Sequence, residues 1–161
     1  MLDKERTACF TGHRDIPDKD IAVVRERTRI VIESLINKGV VYFGNGSARG
    51  FDLICCSLII ELKQKYPQIK LILVLPCRNQ TEKWTNQADI AIYNEVLKKA
   101  DKVRCLAEKH YKGCEFARNR HLIDNSGYCI CYLTSDNGGT AYTVDYAKRN
   151  DLKIYNIAED I

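Results

Sequence analysis

Apolar positions along this chain fall into short runs that alternate with longer stretches of helical spacing. Residues 6–10 form a brief apolar run that stops at Thr11-Gly12. Ile21, Val24, Thr28, Val31 and Leu35 then recur at helical intervals until Gly39. This predicts strand, loop, helix. Residues 40–43 repeat the pattern with a β-rich run, followed by the turn Gly44-Asn45-Gly46-Ser47-Ala48-Arg49-Gly50 and a second helix over 51–66. That helix carries Leu53, Ile54, Cys55, Cys56, Leu58, Ile59 and Ile60 with little polar relief, so it should be covered on most sides. Residues 70–75 are continuously aliphatic up to Pro76, as expected of a central strand. A helix over 88–100, a strand over 102–106, a helix over 115–123, a strand over 128–133, a helix over 141–150 and a strand over 153–157 complete the series.

Five strand–helix units and a last strand predict a Rossmann-like, doubly wound α/β fold, with a mostly parallel sheet of about six strands and helices on both faces. Each crossover must return the chain to the same strand direction, and does so right-handed. With 161 residues, 45% of them hydrophobic, one core is the expectation, so residues 1–161 are read as a single domain. Ligands of such sheets bind beyond the carboxyl ends of the strands. The loops that leave strands are therefore where chemistry is sought.

The first strand exits into Thr11, Gly12, His13 and Arg14: a hydroxyl, a residue that lets backbone approach a ligand, a donor or base, and a planar fork for phosphate or carboxylate. The second exits into Gly46-x-Ala48-x-Gly50-x-Asp52 at the start of the apolar helix, where free amides and the helix dipole favour an anion. Asp52 is placed either to hold the loop or to meet a ligand. The fifth leads through residues 134–137 into Gly138, Gly139 and Thr140 directly before a helix, a second place for a phosphate. Arg118 and Arg120 offer countercharge, but residues two apart point to different sides of a helix, so one of them is expected at the pocket. The second loop is not the dinucleotide fingerprint, since it follows the wrong strand with its glycines one residue too far apart. Nor is it a P-loop, which needs Lys-Ser/Thr after the last glycine. A standard NAD enzyme or NTPase is thereby disfavoured.

Composition changes this picture little. No apolar run approaches the roughly 20 residues of a membrane span, and the charged opening is unlike a secretion signal, so a cytoplasmic protein is expected. Cys9, Cys55, Cys56, Cys77, Cys105, Cys129 and Cys131 lie in or beside apolar segments and read as reduced, packed thiols. Cys105, His110, Cys114 and His121 lack the spacing of a zinc site, and neither a metal nor another cofactor is expected. The net charge of +4 is spread along the chain, which suits a small anionic ligand as well as nucleic acid.

The residues Cys9-Phe10-Thr11-Gly12-His13-Arg14, Gly46-x-Ala48-x-Gly50-x-Asp52, Arg118-Asn119-Arg120 and Gly138-Gly139-Thr140 together resemble the SLOG superfamily. This Rossmann-like group includes the DNA-processing protein DprA and the cytokinin-activating LOG enzymes, and the resemblance is to its YpsA-like branch, over nearly the whole chain. It implies a nucleotide or nucleotide-derived ligand with the glycine loops at phosphate or ribose. It also admits self-association and a nucleic-acid partner. The LOG pattern Gly-Gly-x-Gly-Thr-x-x-Glu is broken here: Thr143 stands three places after Thr140, and Asp145 is out of register. The acid that would assist a departing base is absent where that family places it, so no catalytic residue is assigned. A ligand-binding, sensor-type module is preferred, with Trp84 or a tyrosine over the base. The alternatives are a nucleoside 5'-monophosphate phosphoribohydrolase using Asp52, Asp136 or Asp145, and a single-stranded DNA binder using Lys98, Lys99, Lys102 and Arg104.

Overall fold

The computed structural model of the chain describes residues 3–159. Six strands, β1 (Thr7–Gly12), β2 (Tyr42–Asn45), β3 (Lys70–Leu75), β4 (Lys102–Cys105), β5 (Tyr128–Tyr132) and β6 (Lys153–Asn156), alternate with five helices. These are α1 (Ile21–Asn37), α2 (Phe51–Leu62), α3 (Gln87–Lys99), α4 (Cys114–Asp124) and α5 (Gly139–Arg149). The strands form one sheet in the order β4-β3-β2-β1-β5-β6, and every neighbouring pair is parallel. The chain lays down β1 to β4 in one direction, then crosses back through α4 to place β5 against the free side of β1. That reversal makes a crevice between the ends of β1 and β5.

The two-residue period of the strands sorts the core into two layers. Ala8, Phe10, Ile130 and Tyr132 point into the layer closed by α1, α2 and α3, while Cys9, Cys129 and Cys131 point into the layer closed by α4 and α5. Phe51, the first residue of α2, stacks on Tyr132 and meets Phe10 edge-on, with centroids 6.0 and 6.5 Å apart. Its burial contributes roughly 1.5–3 kcal/mol and fixes the start of α2 over the end of β1. Of the eight cysteines, all free thiols, seven are buried and Cys105 is half-buried. Among the described residues no helix is long and apolar enough to cross a membrane.

Several boundaries depart from the pattern of the sequence. The first strand runs over Thr7–Gly12 rather than 6–10, and the second helix ends at Leu62 rather than at 66, with residues 63–65 continuing as a turn. Two further departures bear on the site. The second strand runs over Tyr42–Asn45 rather than 40–43, because Gly44 pairs with both Cys9 and Ile72 and Asn45 with Leu73. Its missing side chain leaves room for Leu122 of α4, which a β-carbon at Gly44 would press at 3.0 Å. Tertiary fit thus outweighs glycine's poor strand propensity. The last helix begins at Gly139, taking Gly139 and Thr140 into its first turn.

Candidate functional site

A cavity of about 660 Å³ opens at the switch point. Its walls come from residues 11–15 at the end of β1 and just beyond it, from Ala48 and Asp52 around the start of α2, from Glu115, Phe116, Arg118 and Asn119 of α4, and from the segment between Thr134 and Thr140. The volume is within the range of small-molecule sites. A second cavity of about 450 Å³ adjoins it, sharing Arg14, Ala48 and Glu115 and reaching Trp84 and Gln80.

The loop between β2 and α2 is held by its own side chains. Asn45 is fully buried; its Oδ1 accepts the Ser47 amide at 2.7 Å and its Nδ2 donates to the Asp52 carbonyl at 3.0 Å. That bond holds Ser47 in a left-handed conformation, φ 57°. The Ala48 amide donates to Asp52 Oδ2 at 3.3 Å, and the Phe51 amide donates to the His13 carbonyl at 3.2 Å. Three amides that the sequence offers to an anion are therefore satisfied within the protein.

The glycines of this loop make room for arginines. A β-carbon on Gly46 would overlap the Arg118 guanidinium, and one on Gly50 would overlap the backbone of Arg14. Arg118, 3% exposed, threads past Gly46 and donates through Nη1 to the Gly46 carbonyl at 2.8 Å and to Gln80 Oε1 at 3.3 Å. Its Nε donates to Asn119 Oδ1 at 2.7 Å, Asn119 Nδ2 donates to Thr143 Oγ1 at 3.0 Å, and Thr143 Oγ1 donates to the Gly139 carbonyl at 3.0 Å. This chain fixes α4 to both the β2 loop and α5.

Asp52 is a buried carboxyl in the cavity wall, close in depth to Arg118. It is 6% exposed, and its Oδ1 is buried with no hydrogen-bond partner. Burial pushes its carboxyl up to about 6, against the pull of the Arg118 guanidinium, the Ala48 amide and Arg14. Burial likewise holds Arg118 below its usual value.

Across the cavity, Gly138 (φ 96°) leads into α5 with no side chain capping its first amides. Such an end favours an anion. His13 joins this wall to that of β1: its Nε2 accepts the Thr134 amide at 2.9 Å, which puts the ring proton on Nδ1. Partial burial lowers the His13 pKa, reinforcing the neutral ring this bond requires.

Of the residues singled out in the sequence, Thr11, Gly12, His13, Arg14, Ala48, Asp52, Arg118, Gly138, Gly139 and Thr140 line the cavity together. Gly46 and Gly50 stand behind the wall, packed on Arg118 and Arg14. Arg120, two places beyond Arg118, is not part of the lining. Asp145 pairs with Arg149 at 3.0 Å on the outer side of α5, and Asp136 is exposed and outside the lining. Trp84 packs edge-on against Tyr93, 5.3 Å between centroids, in the wall of the second cavity. Lys102 and Arg104 lie along the edge strand β4, away from the cavity. Asn45, Gln80, Glu115, Asn119 and Thr143 were not singled out as site residues. The one local signal was Asn119, between two arginines.

A parallel sheet with a strand-order reversal and loops converging on that reversal defines a Rossmann-like α/β protein with a crevice at the switch point, where ligands of such sheets bind. The YpsA family model, described as the YspA SLOG family, matches residues 10–159, so the chain belongs to the YpsA-like branch of the SLOG superfamily. It is 28% identical to UPF0398 protein BH1768 of Halalkalibacterium halodurans over 134 residues, 81% of this chain and 70% of that one. It is 30% identical to the SPbeta prophage-derived protein YoqJ of Bacillus subtilis over 142 residues, 80% of this chain and 82% of that one. Among solved structures, DNA processing protein A of Helicobacter pylori, described as having a unique single-stranded DNA binding mode, superposes with a TM-score of 0.67 at 20% identity over 95% of this chain. DprA of Streptococcus pneumoniae superposes with a TM-score of 0.65 at 15% identity over 93%. The chain spans 65% and 49% of those two proteins, and the likeness to them is one of fold.

Proposed function

We propose that this protein binds a nucleotide or nucleotide-derived ligand at the switch point, as a recognition module. The observation that carries the reading is Asp52 Oδ1, a buried acceptor without a partner in the cavity wall. Such an atom costs free energy until a donor reaches it, and a ribose hydroxyl is a donor of the right size. The uncapped start of α5 at Gly138, Gly139 and Thr140, with Arg14 on the facing wall, supports a phosphate there. The adjoining cavity, bounded by Trp84, offers an apolar surface for a base.

Thermal unfolding in the presence of AMP, ADP and ADP-ribose, each beside its phosphate-free nucleoside, tests this. A ligand at about 100 times its Kd stabilises by about 2.7 kcal/mol, raising Tm by roughly 5–10 °C in a protein of this size. The phosphorylated compounds are expected to shift Tm and the nucleosides to shift it much less. Silence from all of them, or equal shifts from adenosine, overturns the reading.

A second reading, hydrolysis of the N-glycosidic bond of a nucleoside monophosphate, is supported by the place of Asp52 in the cavity wall, where burial pushes its carboxyl up to about 6, towards the range in which a general acid works. Free base released from AMP by the native chain but not by Asp52→Asn supports it. No release while AMP still binds leaves recognition as the function.

A further inference from the structure

One group of donor atoms, where Glu115 lines both cavities and His110 the second, has been given no role so far. His110 Nε2 lies 3.0 Å from Glu115 Oε1, Cys114 Sγ lies 3.3 Å from Glu115 Oε2, and a donor atom from each of the three residues lies within 4.8 Å of the others. With metal bonds of about 2.0–2.3 Å, neighbouring donors in a tetrahedral zinc site stand roughly 3.3–3.8 Å apart, so the cluster needs little adjustment to close on an ion.

Two strand-exit loops build the cluster. The His110 amide donates to Asn79 Oδ1 at 3.1 Å, the Arg78 amide donates to the Ala107 carbonyl at 3.1 Å, and the Arg78 side chain pairs with Glu108 at 2.7 Å. Gly113, φ 91°, turns the chain so that Cys114 and Glu115 open α4 opposite His110. His110 is exposed, which gives an ion a path from solvent, whereas Cys114 is buried, which shields a thiolate bond. Of the irregular sequence cluster, Cys105 and His121 take no part. Glu115, which the spacing of cysteines and histidines does not reveal, is the atom that joins the other two.

We propose that His110, Cys114 and Glu115 form a zinc-type metal site on the wall between the two cavities, leaving a tetrahedral ion one position for water or a ligand atom. A thiolate, a neutral imidazole and a carboxylate suit zinc and not magnesium or calcium, which take oxygen alone. Binding displaces the Cys114 proton to solvent, so the ion's two positive charges meet one thiolate and one carboxylate in a neutral site. The inference stands independently of nucleotide binding.

Titration of the full, reduced, metal-stripped chain with Co²⁺ tests it, because a cobalt–thiolate bond gives a charge-transfer absorption in the near ultraviolet. The band is expected to saturate at about one equivalent, to be displaced by Zn²⁺ and to persist in Cys105→Ser. It is expected to vanish in Cys114→Ser. The exposed ligand variant His110→Ala, which leaves the buried core intact, is expected to weaken binding at least about tenfold, since even outer-shell changes cost that much. No band, a band that survives Cys114→Ser, or undiminished affinity in His110→Ala overturns the proposal.

Discussion

Asp52→Asn is expected to be more stable than the native chain at neutral pH and nearly equal to it in acid. A carboxyl whose pKa moves from 3.8 to about 6 on folding destabilises the fold, once ionised, by about 3 kcal/mol, at roughly 1.4 kcal/mol for each pH unit. Below pH 3.8 the group is protonated in both states and contributes nothing. Between pH 3.8 and about 6 the unfolded chain ionises first, the folded state holds more protons, and stability falls as pH rises. Above that window the loss is complete. Asparagine keeps an acceptor for the Ala48 amide but never ionises, so denaturant unfolding should show the variant ahead by about 3 kcal/mol at pH 7 and by well under 1 kcal/mol at pH 4. A difference that does not change with pH would refute the burial of this charge. The same substitution removes the acceptor proposed for a ribose hydroxyl, so the gain in stability should accompany a loss of binding.

Gly50→Ala is expected to be strongly destabilising. Gly50 has φ 79° and ψ −123°, a conformation open to glycine alone, and a β-carbon there would overlap the Arg14 carbonyl. Neither partner can yield, because the adjacent His13 carbonyl accepts the Phe51 amide. Backbone strain of about 1–3 kcal/mol and overlap of similar size add to roughly 2–6 kcal/mol, a fall in Tm on the order of 10 °C. Gly39→Ala is the control: φ is 101° there, but nothing lies within 4 Å of the added carbon, so strain alone remains. Equal melting of the two variants would show that Gly50 serves conformation and not the close approach of the two loops.

The alternation of apolar runs and helical spacing made the parallel α/β architecture legible, because each strand and helix writes its own periodicity. The strand order is not written locally. Nothing near residues 128–132 says that they pair with β1 rather than with β4, and that pairing creates the crevice. The site was half legible for a similar reason. Strand-exit loops could be read, and they brought Thr11 to Arg14 and Gly138 to Thr140 together. Gly46 and Gly50 looked like anion binders, since a glycine that admits a ligand and one that admits an arginine or a backbone carbonyl are alike in sequence. What separates them is Arg118, 72 residues after Gly46, whose Nη1 occupies that space. Asn45 was hidden because a buried asparagine ending a strand reads as the first polar residue of a turn.

The return crossover from β4 to β5 has a consequence for the order in which this molecule comes into being. The bond between Thr134 and His13 closes a loop of 121 residues, and the first side of the cavity waits that long for the second. A growing chain that has folded its first four strands holds Asp52 in place but lacks Arg118, Asn119 and the start of α5. Loop-closure entropy for so distant a pairing is large and is repaid only when β5 docks. The cavity at the switch point is therefore completed late in folding, and the ligand proposed for it would mark a sheet already assembled across β1.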